Sequence, residues 1–245
     1  MRPNFLYLAT IVVVTLCLFS CKRNVRKGEG AKGTATPAVT SFNAIDIDLS
    51  IKANITVQAG AQPSVQLNGY KNLLDHIKTT IKDNTLYITS DLDDIWIVSG
   101  DDVVATIILP SLTSLSLSGA PDADIHGNIT GPEFNLDISG SSKVIIDNIN
   151  VDTFTSDASG VANITVKGGA VKKATYDLSG AGSIDAFPLQ SEETEASISG
   201  TGKSELTALK KLDASISGAG SIKYKGHPTV SQDVSGVGSI TAVEN

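Results

Sequence analysis

Seven copies of a Ser-Gly pair punctuate the second half of this chain, ending at Gly119, Gly140, Gly160, Gly180, Gly200, Gly218 and Gly236. Successive copies are 21, 20, 20, 20, 18 and 18 residues apart. A period this regular signals one supersecondary unit stacked on itself, which removes most folds from consideration. Two residues before each glycine stand Leu117, Ile138, Ala158, Leu178, Ile198, Ile216 and Val234. Three before it stand Ser116, Asp137, Asp157, Asp177, Ser197, Ser215 and Asp233. Apolar and polar residues thus alternate with the period of two that sends neighbouring side chains to opposite faces of a strand. Four residues after each glycine a second strand shows its inward side as Ala123, Val144, Ile164, Ile184, Ser204, Ile222 and Ile240.

Each repeat is therefore a strand, a Ser-Gly corner, a second strand and a short connection such as Gly168-Gly169 or Lys210-Lys211. Glycine is expected at the corner because, lacking a Cβ, it takes positive φ freely. A two-stranded unit cannot bury its apolar face alone, whereas equivalent strands stacked in parallel make one continuous core. The expectation is an all-β fold, a right-handed parallel β-helix (β-solenoid). Its coils would lie roughly 4.8 Å apart and make a rod about 30 Å long. A meander or sandwich of hairpins would also suit short, evenly spaced strands. Antiparallel hairpins, however, give no reason for the same Ser-Gly at the same point of every second turn.

The start of the chain reads as an address. Residues 1–20 hold Arg2, an apolar run from Phe5 to Phe19, and Leu18-Phe19-Ser20 before Cys21. The run is short for a membrane-spanning helix and has the form of a secretory signal. Its ending resembles a lipobox, the signal by which bacterial lipoproteins are cut before a cysteine that is then acylated. Phe19 departs from the small residue usual there, and Cys17, after bulky Leu16, fits worse. With Cys17 cleaved off and Cys21 lipidated, no thiol is left for a disulfide or a thiolate metal site. Residues 21–41 lack apolar periodicity and read as a flexible tether spanning roughly 25 Å as a coil. This tether carries +4, which leaves −12 for residues 34–245 once Arg2 has gone with the signal. A basic stem suits anionic headgroups; an acidic body is repelled by them and by nucleic acid, which argues against nucleic acid as a partner.

Residues 42–245 read as a single domain, with strands at 42–110 forming an N-terminal cap and the Ser-Gly repeats filling 111–245. In the cap, Ile45-Asp46-Ile47-Asp48-Leu49, Ile55-Thr56-Val57 and Val65-Gln66-Leu67 alternate, Leu73-Leu74-Asp75-His76-Ile77 suggests one helical turn, and Val103 to Leu109 is an apolar strand stopped by Pro110. These strands would close the first end of the solenoid, whose edge is otherwise unpaired.

The order Phe42-Asn43-Ala44-Ile45, Ile55-Thr56-Val57-Gln58, Asn72-Leu73-Leu74, Asp83-Asn84-Thr85-Leu86-Tyr87-Ile88 and Ile107-Ile108-Leu109-Pro110, followed by Ser-Gly repeats, resembles the "putative auto-transporter adhesin, head GIN" domain family over about residues 42–243. The resemblance implies a β-solenoid and a secreted or lipid-anchored protein of Bacteroidetes-type bacteria. It brings no catalytic residues, and the chain has no autotransporter β-barrel sequence.

Several chemistries find no support. After Arg26 there is no arginine, which argues against a polysaccharide lyase and against bidentate phosphate or carboxylate clamps. His76, His126 and His227 stand alone without zinc or nucleophile-base spacing; His126, close to Asp122 and Asp124, reads as a surface histidine. The glycines follow a corner serine rather than opening a helix, so they make no phosphate loop. Two features remain. Asp137, Asp157 and Asp177, stacked one coil apart, would repel one another, raise their carboxyl pKa values or draw in a hard cation such as Ca2+. Alternatively each accepts hydrogen bonds locally at its corner, beside a serine column from Ser118 to Ser235 that acts as a corner ladder rather than as nucleophiles. The segment from Asp91 to Asp102 places Asp93, Asp94, Asp101 and Asp102 around Trp96, the sole tryptophan. It is either a calcium- or ligand-binding loop, with Trp96 as hot spot, or a strand with solvated ends.

The sequence thus points to a non-enzymatic outer-membrane lipoprotein, on either face of that membrane, whose rod meets a glycan, a matrix polymer or another envelope protein. The competing expectation is a glycan-active hydrolase using solenoid carboxylates about 5 to 10 Å apart.

Overall fold

In the computed structural model the chain is described over residues 24–92, 95–97 and 102–244, with segments 24–26 and 95–97 described by their backbone alone. Strand makes up 72% of the chain and helix 2%, so sheet builds most of the core; the repeats wind into a β-solenoid of about six turns. The strands stack in parallel and in register, as identical repeats require. Residues 133–138 lie over 153–158, these over 173–178, and these over 193–198.

Each turn has three sides rather than two strands and a connection. In one turn, 133–138 is the first side, 141–146 the second after the Ser139-Gly140 corner, and 148–151 the third. The stretch expected to be a short connection is a parallel ladder in its own right: Ile129, Ile149, Gly169 and Leu189 are register partners in successive turns. It forms because Ile129, Ile149, Val151, Val171 and Leu189 turn inward and are buried. Inside, Phe134 stacks on Phe154 at 5.7 Å between ring centroids, and Tyr176 meets Phe154 edge-on at 5.7 Å. Burial pushes the Tyr176 phenol well above its ordinary range.

The corner glycines correct the sequence expectation. Positive φ occurs only at the first of them, Gly119 (φ 80°). From Gly140 onward the reason is space. A Cβ at Gly180 would lie 1.8 Å from the Gly160 carbonyl oxygen, and one at Gly140 1.9 Å from that of Gly119. The backbones of adjacent turns meet here more closely than any side chain allows. Each junction is held by N–H groups on both sides of the glycine: Ser179 donates to the Ala158 carbonyl at 2.9 Å and Ala181 to the Gly160 carbonyl at 2.9 Å.

The first end is more elaborate than a simple cap over 42–110. Strands Ala44–Asp48 and Lys52–Val57 are themselves a layer of the solenoid, pairing in parallel with Ser114–Ser118 and with 122–127. The chain then leaves and returns as an outermost layer, in which Thr85–Ser90 lies parallel on Ala44–Asp48 and Val103–Leu109 parallel on Lys52–Val57. Antiparallel strands cover that layer. Ser64–Tyr70 pairs with Val103–Leu109, and Ile77–Lys82 folds back on Thr85–Ser90 through Asp83 and Asn84 (φ 50° and 60°), a two-residue hairpin turn of the left-handed kind. The helical turn expected over 73–77 lies earlier, at Lys71–Leu74, and Ile77 instead opens the strand Ile77–Lys82.

Within the segment expected to be a tether, Lys32–Ala35 is an antiparallel strand on Ser64–Tyr70, and Asn24–Arg26 runs parallel to Ile95–Ile97. These stretches join the cap. At the far end, Thr229–Val234 and Val237–Ala242 make the last layer; they are largely exposed, Val237 to 82%.

Candidate functional site

Register brings the polar position three residues before each corner glycine into a single outward column. In order along the rod it reads Tyr87, Asp46, Ser116, Asp137, Asp157, Asp177, Ser197, Ser215 and Asp233. The corner serines Ser118, Ser139, Ser159 and Ser179 form a parallel rail two residues on. Between Asp46 and Asp177 the two rails border an open groove of about 510 Å3. Most of this column is visible in the sequence. Asp46 escapes the repeat because it lies before the period begins, although Ile45-Asp46-Ile47 has the pattern of Leu136-Asp137-Ile138.

The rails are only lightly occupied by the protein's own hydrogen bonds. The Ser118 hydroxyl donates to Asp48 Oδ1 at 2.8 Å. Ser159 and Ser179 reach the carbonyls of Ile138 and Ala158 at 3.4 Å, which is long for a hydroxyl donor. The corner ladder is therefore chiefly backbone. No side-chain hydrogen bond or ion pair joins the carboxyl of Asp137, Asp157 or Asp177 to another described residue, so the local acceptor role expected for these aspartates is not realised. Burial raises the Asp137 carboxyl above its ordinary value. Burial raises Asp157 too, and the charges of Asp137 and Asp177 on either side push it the same way. Asp46 is likewise raised, by burial and then by Asp48.

Partly desolvated carboxylates with unfilled lone pairs, beside a rail of lightly bonded hydroxyls, can accept from and donate to the hydroxyls of a ligand. Glycoside hydrolysis is the competing chemistry for the same column, since carboxyls one layer apart, roughly 4.8 Å, lie near the separation that retaining glycosidases use. Among the described residues no three His, Cys, Asp or Glu side chains converge to hold a metal ion.

The other residues singled out by sequence are dispersed. Cys21, Asp93, Asp94 and Asp101 lie outside the described residues, and so does the Trp96 side chain; the Trp96 backbone sits in strand Ile95–Ile97 beside Val25. Asp102 serves the fold, its Oδ2 accepting the Gly28 N–H at 3.2 Å and its carbonyl the Tyr70 N–H at 3.3 Å. His126 is at the surface, and its partner is Asp147 in the next turn, Nδ1 to Oδ2 3.2 Å, rather than Asp122 or Asp124. The Lys167 ammonium, at 2.9 Å, holds Asp147 below the usual carboxylate range against its burial, with help from His126. Among the described residues no helix is long and apolar enough to cross a membrane.

Solved structures of similar shape include proteins from Bacteroides fragilis and Parabacteroides species. The crystal structure of a protein described as a putative adhesin from Bacteroides fragilis matches with a TM-score of 0.83 at 28% identity, covering 89% of this chain and 100% of its own. A "putative lipid binding protein" from Parabacteroides distasonis (TM-score 0.73, 22% identity, 90% and 100% covered) and a putative adhesin from Parabacteroides merdae (0.69, 23%, 89% and 99%) share the fold. No functionally curated protein matches the chain. The model of one family, described as "Putative auto-transporter adhesin, head GIN domain", matches residues 41–228, and this span takes in the cap layers, the groove and all but the last turn of the repeats. The chain belongs to that head GIN domain family of putative adhesins.

Proposed function

We propose that this chain is a cell-envelope lipoprotein, held in the outer membrane by acyl chains on Cys21, whose solenoid binds a glycan along the groove beside Asp137, Asp157 and Asp177. The observation that carries this reading is the groove's repeat. One carboxylate or hydroxyl stands in each layer, roughly 4.8 Å from the next along the axis, and the central three carboxylates have no partner among the described residues. A chain of hydroxyl-bearing units laid along the axis meets the same acceptors layer after layer, so contacts that are weak singly add up. The carboxylate and hydroxyl rails offer partners that a ligand's hydroxyls can use and an acyl chain cannot, and the acidic body disfavours sulfated or phosphorylated polymers. The family's description as an adhesin supports contact at the cell surface.

Affinity electrophoresis tests the glycan reading. Migration is expected to slow in gels containing a neutral β-glucan or mannan, and the Asp137→Ala, Asp157→Ala double variant is expected to run at the control rate in both. Retardation of the parent no greater than that of the variant, each measured against its own glycan-free gel, contradicts the reading. A hydrolase using the same carboxylates would instead release reducing ends from the glucan. The anchor has its own test. Cys21→Ser should shift the protein from the membrane pellet to the soluble fraction, and persistence in the pellet at high salt contradicts lipidation.

A further inference from the structure

The N-terminal segment does not behave as a leash. Its backbone is fastened to the cap from Lys27 onward: the Lys27 carbonyl accepts from Asn72 Nδ2 at 3.0 Å, the Glu29 N–H donates to Asn72 Oδ1 at 3.0 Å, and the Lys71 N–H donates to the Ala31 carbonyl at 2.9 Å. Side chains lock the same contact. Lys32 Nζ sits 4.9 Å above the Tyr70 ring, and that ring fills the space where a Cβ on Gly28 would stand. Six residues at most separate Cys21 from the first of these fastenings, a reach of roughly 20 Å even when fully extended. Strand Asn24–Arg26, placed at the same end, shortens it further. The last layer lies eight layer spacings from the outermost cap layer, nearly 40 Å at roughly 4.8 Å each, and is beyond that reach.

Charge is divided along the same axis. Residues 22–38 and 69–110, which make the cap end, hold eight lysines and arginines and eight carboxylates. Residues 39–68 and 111–245, mainly the coils, hold ten lysines and eighteen carboxylates. An anionic lipid surface therefore repels the shaft and leaves the base unopposed, and the repulsion acts within a Debye length of about 10 Å at moderate salt.

We propose that the cap is the membrane-facing end of the molecule: a lipid headgroup surface is the partner of its outer face, and the rod stands with its groove rising away from the bilayer and its last layer outermost. This rests on the lipid anchor at Cys21. It gives the glycan groove a direction, since a polymer bound along it is led from the membrane outward.

The test uses the native lipidated protein reconstituted in phosphatidylethanolamine–phosphatidylglycerol vesicles. Nitroxide labels are attached through Thr80→Cys on the outer cap strand or Ser239→Cys on the last layer, both exposed positions. A nickel chelate carried on a lipid headgroup reports proximity to the surface. Relaxation enhancement severalfold greater at residue 80 than at residue 239 is expected. Equal enhancement at the two sites, or more at 239, on protein that floats with the vesicles overturns the orientation and leaves the anchor standing. Protein that fails to float with the vesicles overturns the anchor itself, and the orientation with it.

Discussion

At its first end the solenoid is closed by Ser64–Tyr70, Ile77–Lys82 and Lys32–Ala35, all antiparallel to what they cover. At its last end, Thr229–Val234 and Val237–Ala242 pair with the turn beneath and, among the described residues, with nothing beyond. The contrast shows what holds such a rod together. A layer with neighbours on both sides has its inward residues buried and its backbone groups matched twice. A layer with one neighbour keeps the same sequence pattern but leaves Val234 and Val237 in solvent. The repeat alone does not confer stability; position in the stack does, as expected for a nearest-neighbour array. Parallel pairing cannot terminate itself, so the first end is finished by reversing strand direction, which removes a template for further parallel growth.

The largest difference should come from matched truncations at the two ends. Ile107 is fully buried in the covered outermost layer, and Ile107→Ala should cost about 4 kcal/mol, within the range for emptied core sites. Ile240 in the last layer is only partly buried, and Ile240→Ala should cost less than about 1 kcal/mol. Urea midpoints measured at unchanged slope decide this. Equal losses would mean that the last layer is as well held as the first.

Corner glycines sharpen the same comparison at intermediate size. Gly180→Ala forces a Cβ onto the Gly160 carbonyl, with turns locked on both sides, and should cost about 3 kcal/mol. A Cβ at Gly236 would meet the Gly218 oxygen at 2.0 Å, yet the last layer can lift away, so Gly236→Ala should cost about 1 kcal/mol. Gly33, where nothing lies within 4 Å of the place an added Cβ would take, is the control and should be neutral to within about 0.5 kcal/mol on replacement by alanine.

The smallest effect concerns charge. Asp157 lies between Asp137 and Asp177, whereas Asp233 lies on Ser215. Asp157→Asn should stabilise the fold at neutral pH by about 0.2 to 1 kcal/mol, the scale of one cross-strand pair, and Asp233→Asn should not. The sign follows from linkage. A carboxyl raised in the folded state binds its proton more tightly there than when unfolded, so its penalty is present above the folded pKa and is relieved as pH falls toward the ordinary 3.8. The stabilities of parent and Asp157→Asn should converge on acidification. A gap that widens instead would refute the assigned direction.

These contrasts separate what the residues display from what they hide. The parallel stack is legible because Ser-Gly recurs with its flanking alternation. The third side is not, because each copy offers only one or two inward residues, such as Ile149 and Val151, too few for a period to show. The corner glycine is visible, but its cause is not: a sequence cannot distinguish a residue that needs positive φ, as Gly119 does, from one that needs a missing Cβ, as Gly180 does. The interposed first layer escapes because Ser114 pairs with Ala44, 70 residues away, across a stretch without repeats. Residues 27–35 look like a tether because their fastening runs through backbone groups and Asn72, which no apolar pattern marks. The groove is half legible. Its aspartates stand at one phase of the repeat, yet their lack of partners emerges only once the corner ladder proves to be backbone.

Amide hydrogen exchange tests the central claim most directly, that layers are held by neighbours on both sides and that the N-terminal segment is part of the covering. The account predicts slow exchange, near the global limit, for the corner amides of Val161, Ala181 and Thr201, and comparable protection for the Lys71 amide that binds the Ala31 carbonyl. The Val237 amide, bonded to the Gly218 carbonyl at 2.9 Å in the last layer, should exchange much faster despite the same geometry. A Val237 amide as protected as that of Ala181, or a Lys71 amide exchanging at the rate of a free peptide, would contradict it.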